Sequence, residues 1–423
     1  MKPFSRGRWL YLAAMIVAMA GYAVAAEPNI AGTSTTVPYL FSDYIQDEQR
    51  SYVALYEYLD FSALNLGTER LDVYFAGWGR ADAADKLDED DNAVGDAQVT
   101  SAFLRWRDEG NRLDMTLGRR YINIGPAAEA IDSLAVDFRP IEYLGLEGFG
   151  GVPVYSEVGE RDGDYGAGAR LHAGWRRYFE FGASTAALWE KGESDRLIFG
   201  GDFGVWPVPH AELLSHGYYD FLFGSWYDVD ALLIVRPMMD MKILGRYERE
   251  MPSAFLGMGS WFSIFSYDSI DKLSGETSVL LASHFNLAAE YNRYVYDHDD
   301  PADRYGGSFG VVWGERRDNS ASLGVHRLRG GDRGYFETRA YAVQRVLRVL
   351  QISLDLIHYR LDEEMYGVDQ GFDSIGSLGW DVSKEVALQG SGMYRISPYY
   401  AQDVRGLLKL TYRFGDMRRG AVH

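Results

Sequence analysis

From Ser51 onward, hydrophobic and polar residues alternate in segments of about 10 residues that are separated by turn-forming residues. The last segment, Val404–Phe414, reads VRGLLKLTYRF: its even positions are apolar or small, and its odd positions are mostly charged or polar. A period of two with one apolar and one polar face predicts a β-strand that separates an apolar medium from water. The apolar face ends in Tyr412 and Phe414, as expected where a strand reaches a membrane interface.

The connections between the segments also follow a pattern. Counting back from the last strand, short turns alternate with longer, acid-rich connections, which is typical of membrane β-barrels. The predicted short turns are Lys384-Glu385, Val346-Leu347, Arg316–Asn319, His284–Asn286, Arg236–Met238, Trp206–Pro209, Arg176–Tyr178, Arg139–Glu142, Asp108–Asn111 and Asn65–Glu69. The predicted longer connections include Ala81–Asp96, Val152–Asp164, Met251–Ser269, Asp297–Arg304 and Asp362–Gly371.

This alternation predicts an all-β fold: a transmembrane, antiparallel, up-and-down β-barrel of about 22 strands with no separate plug domain. The count requires a short strand at Ile131–Phe138 and another before Ser51, at about Thr33–Phe41. Because Pro38 cannot donate to a strand ladder, 20 and 18 strands remain alternatives.

The two ends of the chain are predicted to lie outside the barrel. Lys2, Arg6 and Arg8 precede an apolar run and small residues, which predicts a secretory signal peptide over residues 1–26. The expected organisation is then an N-terminal segment at 27–50 that includes the first strand of the 22, the barrel at 51–415 and a tail at 416–423.

Composition excludes several classes of function. The formal net charge of −19 makes nucleic acid an unlikely partner. The absence of cysteine excludes disulfides, thiolate metal sites and Cys-x-x-Cys-His haem attachment in this chain. The acidic run Ala81–Asp96 lacks the spacing of an EF-hand calcium loop, and Asp297–Asp300 is read as an exposed turn. We therefore expect no enzyme activity, no cofactor and no metal.

The closing strand, with Tyr412 and Phe414 at its end, resembles that of Gram-negative outer-membrane β-barrels. This resemblance implies an outer-membrane location, contact with outer-membrane lipid, and recognition of Tyr412 and Phe414 as an assembly signal by the barrel-assembly machinery. Two departures are Lys409, where a glycine is common, and the tail after Phe414.

Strand alternation directs one set of charged side chains into the lumen. It places arginines on one wall and mostly carboxylates on the other, which predicts a transverse field that selects solutes by charge. The alternative is that these groups pair with one another and fill the interior. The predicted pore-lining residues are Arg105, Arg107, Arg120, Arg170, Arg176, Asp240, Arg246, Glu290, Glu337 and Asp355.

A Gly-Arg-Arg strand end leads into a segment that contains Gly125, Pro126 and Glu129. This segment resembles the loop that folds inward and narrows the pore in porin-type barrels. The resemblance implies a passive, porin-like channel for small hydrophilic solutes. The alternative is a barrel that surrounds a partner protein, such as a multihaem cytochrome that carries electrons across the outer membrane.

Overall fold

The computed structural model describes residues 29–45, 48–66, 68–84, 95–154, 164–175, 178–250, 269–297, 300–314, 317–330, 334–398 and 400–415. The predicted signal peptide, the C-terminal tail and most of the acidic run at 81–96 lie outside these residues. Among the described residues, no helix is long and apolar enough to span a bilayer.

The described residues form 22 antiparallel strands, so the predicted fold class and strand count are confirmed. The first eleven strands are β1 (Asn29–Ile45), β2 (Glu48–Leu64), β3 (Leu71–Ala84), β4 (Gly95–Arg107), β5 (Leu113–Ile124), β6 (Ala127–Ile141), β7 (Leu144–Pro153), β8 (Tyr165–Trp175), β9 (Phe179–Glu190), β10 (Glu193–Val208) and β11 (Ala211–Asp220). The others are β12 (Ser225–Met238), β13 (Met241–Glu250), β14 (Ile270–Leu281), β15 (Phe285–Tyr296), β16 (Ala302–Trp313), β17 (Asn319–Arg329), β18 (Tyr335–Leu347), β19 (Leu350–Met365), β20 (Val368–Asp381), β21 (Val386–Ser397) and β22 (Tyr400–Phe414).

Each strand pairs with its neighbour in the chain, and pairing of β1 with β22 closes the barrel. The register of this seam runs from Gly32 opposite Phe414 to Asp43 opposite Asp403, with an interruption at Val37 and Pro38. The interruption has a simple cause, since proline has no N–H for the ladder. Pairing of β1 with β2 continues across the same two residues. The proline therefore weakens one side of the first strand without removing it from the barrel.

The two faces of the wall differ as the alternation predicts. On β5, Leu117 and Tyr121 are exposed on the outward face, whereas Thr116 and Ile122 on the inward face are buried. A closed barrel with large apolar side chains on its outer surface can bury that surface in lipid. The outward apolar residues include Leu104, Leu134, Leu146, Leu171, Phe181, Leu287, Phe309, Leu323, Leu354, Leu408 and Tyr412.

The turns agree with the prediction in number and order, although several boundaries differ. The turn predicted at Arg236–Met238 lies at 239–240, because β12 continues to pair with β13 as far as Met238. The strand predicted at Ile131–Phe138 is the longer β6. The predicted connection at Asp362–Gly371 is wrong: β19 and β20 continue through it to a tight turn at Tyr366 and Gly367.

Candidate functional site

Eight of the predicted pore-lining residues lie on the inward face of the barrel. This placement follows from strand parity, because their neighbours in the chain are exposed on the outward face. They are Arg105 and Arg107 on β4, Arg120 on β5, Arg170 on β8, Arg246 on β13, Glu290 on β15, Glu337 on β18 and Asp355 on β19.

Two predicted residues are not on the described inward face. Asp240 occupies the tight turn between β12 and β13 and is exposed there, so its assignment to the pore wall is wrong. The cause is that β12 continues through the three residues of the expected turn, Arg236–Met238, so that the turn falls at 239–240. Arg176 lies outside the described residues.

The inward-facing arginines have carboxylates beside them on their own wall. Arg105 Nε donates to Asp114 Oδ2 at 2.8 Å, and Arg107 Nη2 donates to the fully buried Asp72 at 2.7 Å. Arg170 donates to both oxygens of Asp202, at 2.7 and 3.0 Å. This fork-to-fork geometry is a strong form of charge-assisted hydrogen bond.

The other wall is organised in the same way. Arg246 Nε donates to Asp230 at 3.0 Å, and Arg339 Nε donates to Asp355 at 2.9 Å. Arg304 contacts Glu290. Residues facing one another on adjacent strands lie close enough for such pairs to form. At these positions each wall therefore carries charges of both signs, and the inward arginines form ion pairs with carboxylates on neighbouring strands.

Arg120 differs from the other inward arginines. Its Nη1 donates to Thr116 Oγ1 at 3.0 Å, its Nε lies 3.4 Å from the Tyr121 carbonyl oxygen, and its guanidinium lies over the Phe103 ring. Within the described part of the chain, no carboxylate lies within ion-pair distance of it. Its charge is therefore not neutralised by a direct partner.

The segment predicted as an inward-folding loop is the tip of a β-hairpin. Gly125 and Pro126 form the two-residue turn between β5 and β6, and Glu129 belongs to β6. Gly125 has a φ of 59°, and a Cβ at this position would overlap the side chain of Ser184 on the inward face of β9. The tip thus leaves the line of the wall and lies inside the barrel, although as regular β structure rather than as a loop.

Apolar packing holds this tip in place. Ile122 on β5 and Ile131 on β6 are fully buried, and they cluster with Phe149 and Ala186. The inward face of β8 leaves room for them because it carries glycines: a Cβ at Gly166 would lie 3.7 Å from Ile131 Cδ1. Sequence reasoning missed this contact. The sequence feature that indicates this contact is the presence of Ile122 and Ile131 at inward positions, where the wall of a water-filled barrel is expected to be polar.

Besides the His216–Asp228 pair of β11 and β12, two larger groups of inward side chains include histidine. Asp137, Glu147 and His172 on β6, β7 and β8 present atoms within 4.8 Å of one another, which is a possible arrangement for a cation. However, Asp137 already binds Arg139, and Glu147 lies near Arg170, so two guanidinium groups oppose a further positive charge.

The second group lies on the other wall. His326 on β17 lies between two carboxylates, with Nε2 at 3.4 Å from Glu290 and Nδ1 at 3.3 Å from Glu337. Arg304 contacts Glu290 and approaches Glu337 at 3.6 Å. The group forms a cross-strand charge network over β15–β18, and it holds Glu290 and Glu337 in the wall.

Comparisons with known proteins support the architecture. No protein-family model matches the chain, and no curated protein matches it. Among solved structures, a G324V mutant of the ferric enterobactin receptor PfeA from Pseudomonas aeruginosa is similar, with a TM-score of 0.56 and 9% identity over 90% of this chain and 80% of that one. The fold is that of an outer-membrane β-barrel.

Two further similar structures have TM-scores below 0.5. The translocation pore of the P pilus usher PapC has a TM-score of 0.46 and 9% identity, over 92% of this chain and 100% of that one. OccAB4 of Acinetobacter baumannii also has a TM-score of 0.46 and 9% identity, over 91% and 98%. Such likenesses concern the fold alone. The outward apolar belt and the barrel together place this protein in the outer membrane of a Gram-negative bacterium.

Proposed function

We propose that this protein is a porin-like channel for the passive diffusion of small hydrophilic solutes. The observation that carries the proposal is the lumen of β13–β20, whose inward side chains are charged and partly exposed to water. Arg246, Glu290, Arg339 and Asp355 all belong to this surface. A barrel with an apolar exterior and a polar, hydrated interior gives ions and small polar solutes a path through lipid.

We further propose that the tip of the β5–β6 hairpin sets the width of this path. The tip crosses in front of β9, and its apolar residues exclude water from the lumen beneath it. Because most inward charges are paired with neighbours, Arg120 is the arginine that would bias ion entry most.

The width of a 22-strand barrel also favours a second candidate function. A lumen of this class is large enough to hold a protein plug, and one hairpin tip fills only one side of it. The barrel could then surround a partner protein, for example a multihaem cytochrome. In that case the lumen would conduct poorly when the partner is bound and well when it is removed.

Trimming the hairpin tests the proposed channel. Replacing Ile122–Glu129 by Asn-Gly closes β5 and β6 at the facing residues Tyr121 and Ala130 with a favoured two-residue turn. We expect a higher single-channel conductance in planar bilayers. The matched control replaces Leu361–Asp369 by Asn-Gly, closing β19 and β20 at Arg360 and Gln370 in the wall, and should leave conductance unchanged.

Three results would contradict these proposals in different ways. Equal conductance of the trimmed and native barrels would contradict the role of the tip while leaving the channel intact. Absence of conductance in both purified barrels would contradict the channel. A native preparation that conducts only after a co-purifying protein is stripped from it would favour the second candidate.

A further inference from the structure

The barrel wall is split between β4 and β5. The two strands pair only from Ala102–Arg107 to Asp114–Arg119. Beyond that point β4 continues along β3, and β5 continues along β6 into the inward hairpin tip. Within the described part of the chain, no pairing joins 95–101 to 120–124. A notch therefore separates the two strands in the half of the wall that carries the hairpin tip.

Polar contacts bridge the notch at the end where the pairing of β4 with β5 stops, next to Ala102 and Arg119. Arg119 Nη1 donates to the Val99 carbonyl oxygen at 2.9 Å, and its guanidinium also binds both oxygens of Asp132. The Ser101 hydroxyl lies 3.4 Å from the Arg119 carbonyl oxygen. Free backbone groups are costly beside lipid, and these contacts satisfy some of them where pairing ends.

The notch adjoins a cavity of about 790 Å³. Thr100, Ser101 and Phe103 line it from β4, and Arg120, Tyr121 and Ile124 line it from β5. Its surface is of mixed character, with apolar and polar parts of similar extent. A site of this size and composition suits a small amphipathic molecule.

Five charged side chains line the cavity: Arg105, Arg120, Asp114, Asp137 and Glu147. Two of the carboxylates have arginines outside the lining as neighbours, since Asp137 binds Arg139 and Glu147 lies near Arg170. Arg105 is engaged by Asp114, so these two groups neutralise each other. Arg120 has a hydroxyl, a carbonyl oxygen and the Phe103 ring as direct contacts, and no carboxylate of the described residues lies within ion-pair distance of it. A guanidinium with free N–H groups in a partly enclosed site binds carboxylate or phosphate oxygens well.

The outer mouth of the notch is apolar. Leu104, Leu117 and Tyr121 face outward beside it, and all three are exposed at the membrane surface of the barrel. An acyl chain that leaves the cavity through the notch would therefore pass directly from protein to lipid tails. The polar end and the apolar end of the site lie on opposite sides of the wall.

We propose that this cavity binds an anionic amphiphile, with its carboxylate at Arg120 and its acyl chain in the notch between β4 and β5. The notch then connects the barrel interior with the membrane sideways, in addition to the path along the barrel axis. The proposal does not depend on conduction through the lumen.

The experiment uses 12-bromododecanoate, whose bromine quenches a nearby fluorophore. The chain has no cysteine, so Thr100→Cys provides a single site for bimane beside the notch. Leu354→Cys, on the outward face of β19 in the opposite wall, is the control site in contact with lipid. Both proteins are studied in phosphatidylcholine nanodiscs. We expect saturable quenching at position 100 and only linear quenching at position 354.

The contribution of Arg120 is tested in the same assay. A hydrogen-bonded charge pair typically contributes about 1.5–3 kcal/mol, so Arg120→Gln should weaken binding about 10-fold or more. Arg120→Lys keeps the charge and should recover part of the affinity, whereas Arg339→Gln in the opposite wall should have no effect. Heat-modifiable migration on gels shows that each variant is folded. 12-Bromododecyltrimethylammonium, with the same chain and a cationic head, should bind more weakly.

Two results would overturn the proposal. Quenching of the same size and the same linear form at positions 100 and 354 would show simple partitioning of the probe into the nanodisc. Saturable quenching at position 100 that is the same in the native, Arg120→Gln and Arg120→Lys backgrounds would exclude Arg120 as the head-group site.

Discussion

Two parts of the same barrel use their inward faces differently. In the hairpin wall, β5–β10, several inward positions carry fully buried apolar side chains. Ile122 and Ile131 belong to the cluster at the hairpin tip, and Ile198 belongs to a second cluster with Tyr218 and Tyr227. In the open wall, β13–β20, no described apolar side chain larger than Ala302 is buried. Strand pairing is nearly continuous in both walls, although among the described residues only the hairpin wall has a buried apolar core. The strand pairing of the barrel therefore does not depend on such a core. The hairpin wall therefore contains a small apolar core, as soluble proteins do, in addition to the strand pairing of the barrel. The variants below separate the contribution of this core from that of the strand pairing.

The largest contrast is expected for apolar truncation. Ile122→Ala removes a fully buried side chain, which typically costs about 2–5 kcal/mol, because a cavity remains. Ile357→Ala removes an inward side chain that is only partly buried on β19 and should cost much less. The temperature at which the folded gel band disappears should fall clearly for the first variant alone. Equal shifts would mean that the hairpin tip does not pack as described.

A smaller contrast is expected for the arginines. Arg170, 15% exposed, binds Asp202 and lies near Glu147 and Glu180, whereas Arg339 is 51% exposed and binds Asp355. Arg170→Gln should destabilise the barrel by about 1.5–3 kcal/mol, the usual range for hydrogen bonds to charged groups. Arg339→Gln should cost about 0.2–1 kcal/mol, as exposed pairs do. Urea titration followed by tryptophan fluorescence measures both, and a larger effect of Arg339→Gln would reverse the ranking of the walls.

A third contrast compares two turn glycines with positive φ. Gly125→Ala and Gly367→Ala both incur the left-handed penalty of about 1–2 kcal/mol. Only at Gly125 does the new methyl group meet another side chain, that of Ser184; the space beside Gly367 is open. We expect Gly125→Ala alone to displace the tip and raise channel conductance, and Ser184→Gly to restore it. Raised conductance in Gly367→Ala would point to a general loosening of the barrel.

The smallest effect concerns pH and should not distinguish the walls. In the turn after β4, backbone N–H groups of Leu113, Arg112 and Gly110 hold the pKa of Asp108 below its ordinary value. In the turn after β20, the Ser383 hydroxyl does the same for the pKa of Glu385. A lowered pKa stabilises the folded barrel above the unfolded-state pKa of about 4.

This stabilisation should disappear as pH falls through the folded-state pKa values. Asp108→Asn should remove its share of the pH dependence between pH 5 and pH 2, as measured by thermal melting. Stability of the native barrel that increases over the same interval would contradict the sign of this prediction.

The sequence predicted the strands better than their ends. Each barrel strand separates lipid from water, so alternation marks its membrane portion strongly, as in Val404–Phe414. Beyond the membrane both faces of a strand contact water, and the alternation disappears. For this reason the sequence did not predict that β19 and β20 extend through the expected connection at Asp362–Gly371. Ion pairs such as Arg170–Asp202 depend on register across strands, which a single sequence does not specify. The inward direction of the Gly125 turn was predicted through resemblance, whereas its apolar anchoring by Ile122 was not.

At the seam where β1 and β22 close the barrel, a large side chain on one strand lies opposite a glycine on the other. Phe414, the last residue of β22, faces Gly32 on β1, and a Cβ at Gly32 would lie 2.6 Å from the end of the Phe414 ring. A slip of one residue would exchange the lipid and lumen faces of the strand. A slip of two would move the ring onto Ile30 or Ser34, where a side chain occupies the space. The absence of a side chain at Gly32 thus favours one register between the first and last strands when the barrel closes.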